Sequence, residues 1–304
     1  APITKIEIFM HENLNQLYPI IFFFGLLLGS FLNVVIYRLP IMLQKQWQEE
    51  LTAWQDDTQS TPNNSQDLDI EQEKDSERYN IAWPGSHCPH CQHQIAPYDN
   101  IPLISFLLLK GCCRHCKTAI SSRYPLIELL AGLLALISSI QFGFTLEALA
   151  YFAVSLCLLA LLTIDLQTQL LPDLLTLPLL WAGLLFHSLN NENQLSLYLW
   201  GAAAGYLVLW SIYWLFKLLT GREGMGYGDF KLLAALGAWS GWIFLPAIML
   251  MSALSGLIMA LLLRVSKRLP AGTAMPFGPA LAIAGWLVLY FPDTIQLLMQ
   301  SLFI

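Results

Sequence analysis

Charge is what this sequence has least of. Only 12% of its 304 residues are Asp, Glu, Lys or Arg, about half the share carried by a soluble globular domain. That shortage excludes an ordinary cytosolic enzyme and a disordered protein, and the chain has no basic surface for a nucleic-acid partner. Segments of about ten residues with alternating polarity do not recur, so a membrane β-barrel is not indicated. No βαβ unit with a glycine-rich loop is visible, which removes a Rossmann-like cofactor domain. Cysteine is scarce too: there are six, and four of them fall into two C-x2-C pairs.

What remains is apolar. Hydrophobic residues make up 56% of the chain, and a spanning helix needs about 20 of them in a row. Such runs lie near 17–37, 124–143, 146–164, 174–190, 196–216, 243–264 and 277–293, with a shorter stretch at 230–242. The first does not read as a cleaved signal peptide, because residues 1–16 carry one Lys and two Glu and the bases resume only at Arg38. Fourteen of the fifteen bases fall in the connections 38–123, 217–231 and 264–276, leaving Lys5 apart. Positive charge collects on the cytoplasmic side, so these three connections are predicted to be cytoplasmic and the N-terminus outside. That parity requires the short 230–242 stretch to cross as well. The expected fold is an all-α polytopic membrane protein of about eight transmembrane helices with a cytoplasmic zinc-binding insertion. Three regions follow: 1–37 with the first transmembrane helix, 38–123 as the insertion, and 124–304 as the transmembrane core.

The insertion divides in two. Between Leu43 and Asn80 ten acids stand against Lys45, Lys74 and Arg78, a net charge of −7 that leaves about +1 for everything else. This tract reads as a helix with Trp47 and Trp54 running into a solvated linker, or as an electrostatic lure for a basic partner. The region 83–118 holds Cys88-Pro-His-Cys91 and Cys113-Arg-His-Cys116. Four thiolates on two such turns can surround one tetrahedral zinc ion, and a cytoplasmic location keeps them reduced. A closed four-cysteine site leaves no open position for water, so the zinc is read as structural. Cys112 offers an alternative register, and the repeated spacing favours Cys113. His87, His90, His93 and His115 read as solvated neighbours, Gly111 as a turn residue and Cys157 as a packed thiol.

Acids in or at the ends of apolar runs demand explanation. Asp165 closes the run 158–164, and Asp229 closes Gly224-Met-Gly-Tyr-Gly-Asp229. Both fall at cytoplasmic ends, so they can meet at one depth. Two carboxylates held close share a proton. One can then activate water while the other polarises a scissile carbonyl. Gly226 and Gly228 are candidate substrate-binding positions, since glycine lets an extended backbone approach the acid. Asp173, after Pro172, reads as a helix cap. Three readings stay open at this point: a catalytic pair, a transporter or proton relay using the same acids, and plain helix caps. A membrane scaffold with a zinc-bound adaptor is a further alternative. Trp200, Trp214 and Trp242 read as interfacial anchors, and His187 has no assigned role.

The ordered set of motifs resembles a known family. Gly29-Ser-Phe-Leu-Asn-Val-Val-Ile-Tyr-Arg-Leu-Pro40, the two C-x2-C pairs, Asp165-x6-Pro172-Asp173, Gly226-Tyr-Gly-Asp229, Lys231-Leu-Leu-Ala-Ala-Leu-Gly237 and Pro276-Phe-Gly-Pro279 occur in the order seen in bacterial type 4 prepilin peptidases. The resemblance implies a multi-pass inner-membrane aspartic peptidase of the Gly-x-Gly-Asp type. Such an enzyme cuts the short basic leader from prepilins and pseudopilins after a glycine on the cytoplasmic side. It then commonly methylates the new N-terminus with S-adenosylmethionine. By resemblance, Asp165 and Asp229 are the catalytic pair, Cys88, Cys91, Cys113 and Cys116 bind zinc, and Asp173 is not the catalytic acid. Partners are the prepilin substrates and the lipid bilayer. The residues that would hold the methyl donor, and the oligomeric state, are not implied.

Overall fold

A computed structural model describes residues 16–59, 80–83, 85–190, 192–222, 224–265 and 276–303. The opening segment, six of the acids of the 43–80 tract (67–77) and most of the 264–276 connection lie outside the described residues. Among the described residues ten α-helices run in order: α1 (Leu17–Gln59), α2 (Ile104–Leu108), α3 (Arg123–Phe142), α4 (Leu146–Thr168), α5 (Asp173–Asn190), α6 (Leu195–Thr220), α7 (Tyr227–Ser240), α8 (Leu245–Val265), α9 (Gly278–Tyr290) and α10 (Pro292–Phe303). Among the described residues no β-strand forms, and two isolated bridges are the only extended pairing. The chain divides into two compact units, Leu26–Leu129 and the remainder, Ala1–Gly25 with Leu130–Ile304.

Helix α1 runs unbroken through Pro40 for 43 residues, about 64 Å at 1.5 Å per residue and twice a bilayer core. Its later part carries the start of the acidic tract. In the unit Leu26–Leu129 the buried polar groups of α1 and α3 are all engaged. Asn33 donates to the Tyr124 carbonyl at 3.1 Å, Arg38 donates to the carbonyls of Asn80 and Ile81, and Glu128 accepts from the Leu103 amide at 2.9 Å.

In the larger unit α7 is the centre. From Asp229 to Ser240 every residue except Lys231 is buried. Helix α6 packs on it through Gly201 and Gly205: a methyl group on Gly201 would strike the Gly237 carbonyl, and one on Gly237 would strike that of Gly201. Such close backbone approach is how helices associate where lipid offers no hydrophobic driving force. Helix α5 packs on the opposite side, where Trp239 donates to the Leu179 carbonyl at 2.8 Å. Helix α9 is held by a buried polar knot. Tyr290 shares hydrogen bonds with Ser138 of α3 and Ser155 of α4, and Trp286 donates to Ser155.

Among the described residues five helices are long and apolar enough to cross a membrane, and a sixth crossing arises if α9 and α10, bent by 103°, form one. The molecule is a multi-pass membrane protein. The count differs from the eight runs read in the sequence for a physical reason. Helices α7 and α9 have 14 and 13 residues, about 21 and 20 Å, and are packed mostly against protein, while α5 has only 18 residues and includes Asp173, Pro178 and His187. The lipid-facing signature belongs instead to helices such as α6, with Leu199, Trp200, Leu207, Trp210, Leu215 and Leu218 all exposed.

Candidate active site

Helix α4 stops just past Asp165. Gln169 adopts the left-handed conformation (φ 55°) and its amide bonds the Asp165 carbonyl at 2.9 Å. A short turn, 169–172, leads into α5, whose first free amides at Leu175 and Thr176 bond the Pro172 carbonyl. The extended Gly226 precedes α7 and places Asp229 in its first turn. Asp165 and Asp229 are 4% and 7% exposed, and their carboxylates are near enough to interact as charges. A third segment joins them. A methyl group on Gly278, the first residue of α9, would stand 2.6 Å from Oδ2 of Asp165. That Oδ2 is buried with no hydrogen-bond partner, which is costly unless the carboxyl is protonated or a ligand meets it.

The two glycines of the turn behave differently. Leu171 occupies the space beside Gly228, where an added Cβ would lie 2.7 Å from the leucine Cβ. Gly226 is open on the side of Asp229, with its nearest neighbour, Oδ2, at 3.8 Å from such a Cβ. Asp173 is not placed as a cap: it lies inside the first turn of α5, and both its oxygens accept from Nζ of Lys231 at 2.7 Å. At the other end of the same helices His187 stacks on Tyr198 at 3.4 Å between centroids and bonds the Trp239 carbonyl at 3.0 Å.

The cysteines form a second site. Sulfurs of Cys88, Cys91, Cys113 and Cys116 all lie within 4.8 Å of one another. Each pair sits on a hairpin of the same construction. The Cys88 amide bonds the His93 carbonyl and the Gln92 amide the Cys88 carbonyl; Cys113, Thr118 and Lys117 repeat this. Gln92 and Lys117 both turn left-handed, at φ 55° and 57°. In that repeat Cys112 pairs with Ala119 as His87 pairs with Gln94, outside the quartet. Amides of Cys91 and His90 pull the Cys88 thiol down, and Thr118 pulls Cys116 to about 6. Despite an amide bond from His93, Cys91 is pushed up to about 11 by desolvation and the neighbouring sulfurs. A cluster that resists carrying four negative charges alone is one suited to a cation.

Residues 23–142 match the bacterial peptidase A24 N-terminal domain, and residues 151–261 match the type IV leader peptidase family. A curated prepilin leader peptidase/N-methyltransferase from Aeromonas salmonicida is 51% identical over 91% of this chain and 92% of its own. The chain belongs to the type IV leader peptidase family. A protein of the same name from Stutzerimonas stutzeri is 50% identical over 89% of each chain, and one from Pseudomonas aeruginosa is 48% identical over 89% of each. No solved structure matches the chain. Within this leader peptidase family member the geometry adds two residues that sequence reading did not single out as site residues. Gly278 backs Asp165, and Leu171 wedges between Gly228 and Gly278. The motif Pro276-Phe-Gly-Pro279 carried the signal for the first; nothing in the sequence marked the second.

Proposed function

We propose that this protein is a membrane aspartic endopeptidase that removes the short basic leader from type 4 prepilins and pseudopilins after a glycine. It then methylates the new N-terminal residue. The observation that carries the reading is the convergence of Asp165, Asp229 and Gly278 from three separate segments into one buried cluster in a chain of this family. Two buried carboxyls this close hold one proton between them more readily than two charges. The ionised member takes a proton from water as it attacks the carbonyl of the leader's last glycine. The protonated member donates to the developing oxyanion; the proton taken from water then passes to the leaving amine as the C–N bond breaks, and the diol returns its proton to the second acid. The open side at Gly226 is the approach for the extended substrate, and Gly228 is glycine because Leu171 fills its place.

The proposed topology has eight crossings, the N-terminus outside and the basic connections in the cytoplasm of the bacterial inner membrane. Supporting it, the end of α4 and the starts of α5, α7 and α9 gather at one end of the larger unit, while His187, Tyr198 and Trp239 gather at the other. Helices α7 and α9 then cross as short segments sheathed by protein. Regions 1–37, 38–123 and 124–304 serve as anchor, cytoplasmic insertion and peptidase core. The cysteine quartet holds structural zinc. Tetrahedral Zn–S bonds of 2.3 Å place sulfurs about 3.8 Å apart, and Cys88 and Cys116 already stand at 3.8 Å.

S-adenosylmethionine supplies the methyl group when bound. The buried Asn33 and Arg38 of α1 and Glu128 of α3 are each bonded to backbone groups. They form no cradle for that donor, so no step is derived through it. Mass spectrometry of a prepilin incubated with the purified protein and S-adenosylmethionine tests the reading. Expected are loss of the leader and then the added mass of one methyl group. Intact prepilin with a folded protein contradicts the peptidase, and an unmethylated product contradicts the second activity.

A further inference from the structure

The catalytic reading leaves unexplained an ion pair beside the site. Lys231 directs Nζ at both carboxylate oxygens of Asp173, 2.7 Å from each. Asp173 is the first residue after the turn that leaves Asp165, and Lys231 lies two residues beyond Asp229. The bridge therefore ties together the two segments that carry the two buried acids. A residue two positions along a helix is rotated by about 200°, so Lys231 faces away from Asp229 and does not share its cleft.

The side chains of Lys231 and Asp173 are 29% and 53% exposed. Ion pairs this wet add little to global stability. The α5–α7 contact already has stronger ties in the Trp239–Leu179 and His187–Trp239 hydrogen bonds near its far end. At the near end the turn 169–172 is held from inside by Leu171 against Gly228 and Gly278, and from outside by this pair. Wedge and tie together fix where α4 ends relative to where α7 begins. That relation sets the separation of the carboxyls of Asp165 and Asp229.

We propose that Asp173 and Lys231 form a positioning clamp that sets the spacing of the catalytic pair without touching substrate. The proposal rests on the assignment of Asp165 and Asp229 as catalytic. Misplacing reacting groups by about 1 Å can cost about 100-fold in rate, so Asp173→Ala and Lys231→Ala should each lower kcat by about 10- to 100-fold. KM and zinc content should stay unchanged. The double variant should be no slower than either single one, since both break the same tie. Lys231→Arg, which keeps the charge and the hydrogen bonds, and the exchanged pair Asp173→Lys with Lys231→Asp should recover most of the lost rate.

The experiment is steady-state cleavage of a prepilin by the full-length protein in detergent, with Asp165→Asn as reference. Single variants with wild-type kcat would overturn the clamp, as would a loss confined to KM, which means direct substrate contact. Additive losses in the double variant, or failure of Lys231→Arg to recover activity, would also overturn it. An active Asp165→Asn would instead remove the catalytic assignment beneath it, so the two failures read differently.

Discussion

The carboxylate cluster and the cysteine quartet are held in place by opposite means. Asp165 and Asp229 are fixed by helices packed so tightly that glycine is required at Gly201, Gly237 and Gly278, and the neighbouring side chains of α7 are almost wholly buried. The cysteines ride on two hairpins with backbone hydrogen bonds and little core: of the four, Cys88 alone is buried. The first site draws its precision from interhelical packing, the second from local backbone geometry that brings four sulfurs within 4.8 Å of one another. The comparison predicts that each site can be broken while the other survives.

The largest effect should follow Gly278→Val. Its side chain must enter space now taken by Oδ2 of Asp165 and by Leu171, and prepilin cleavage should fall by about 100-fold or more. Zinc measured by atomic emission should be unchanged. Gly237→Leu attacks the packing more broadly, through the contact with α6. Overpacking of this kind costs about 1–3 kcal/mol, read as a lowered thermal midpoint in detergent, again with zinc retained.

The converse changes fall on the hairpins. Cys88→Ser or Cys113→Ser should lose the zinc and open residues 85–120 to limited proteolysis, while Cys112→Ser, outside the quartet, should lose neither metal nor protection. Acid should act in the same direction as the first two. Cys91, held at about 11 in the absence of metal, must release a proton to bind, so zinc affinity should rise with pH and fall as pH drops. The smallest effect belongs to the ion pair of Arg114, half exposed, and Asp99. The Arg114 guanidinium holds the Asp99 carboxyl below its usual range. Its contribution is therefore complete above about pH 4, the unfolded carboxylate value, and is lost as pH falls through the lower folded value. Arg114→Ala should remove only that acid-sensitive part of the melting curve.

Much of this was legible in the sequence, and what was not has a common cause. Asp165 and Asp229 stand out because an acid at the end of an apolar run has few structural excuses, and the cysteines because a repeated spacing implies a repeated turn. Only three-dimensional neighbours decide the rest. Cys112 and Cys113 are equivalent by spacing until the hairpin pairing separates them. The role of Asp173 as partner to Lys231, the wedge at Leu171 and the backing of Asp165 by Gly278 all join residues more than 50 positions apart or turn on such contacts. Fewer helices meet the length of a full span than there are apolar runs for a related reason. Hydropathy reports how apolar α7 and α9 are, and not whether lipid or protein surrounds them.

The central claim is that two acids, Asp165 and Asp229, perform the cleavage together. Its most direct test is a time course of prepilin processing by the wild type, Asp165→Asn and Asp229→Asn, with zinc content measured on the same preparations. The account predicts leader removal by the wild type, none by either variant, and equal zinc in all three. Cleavage at the wild-type rate by either folded variant would contradict it.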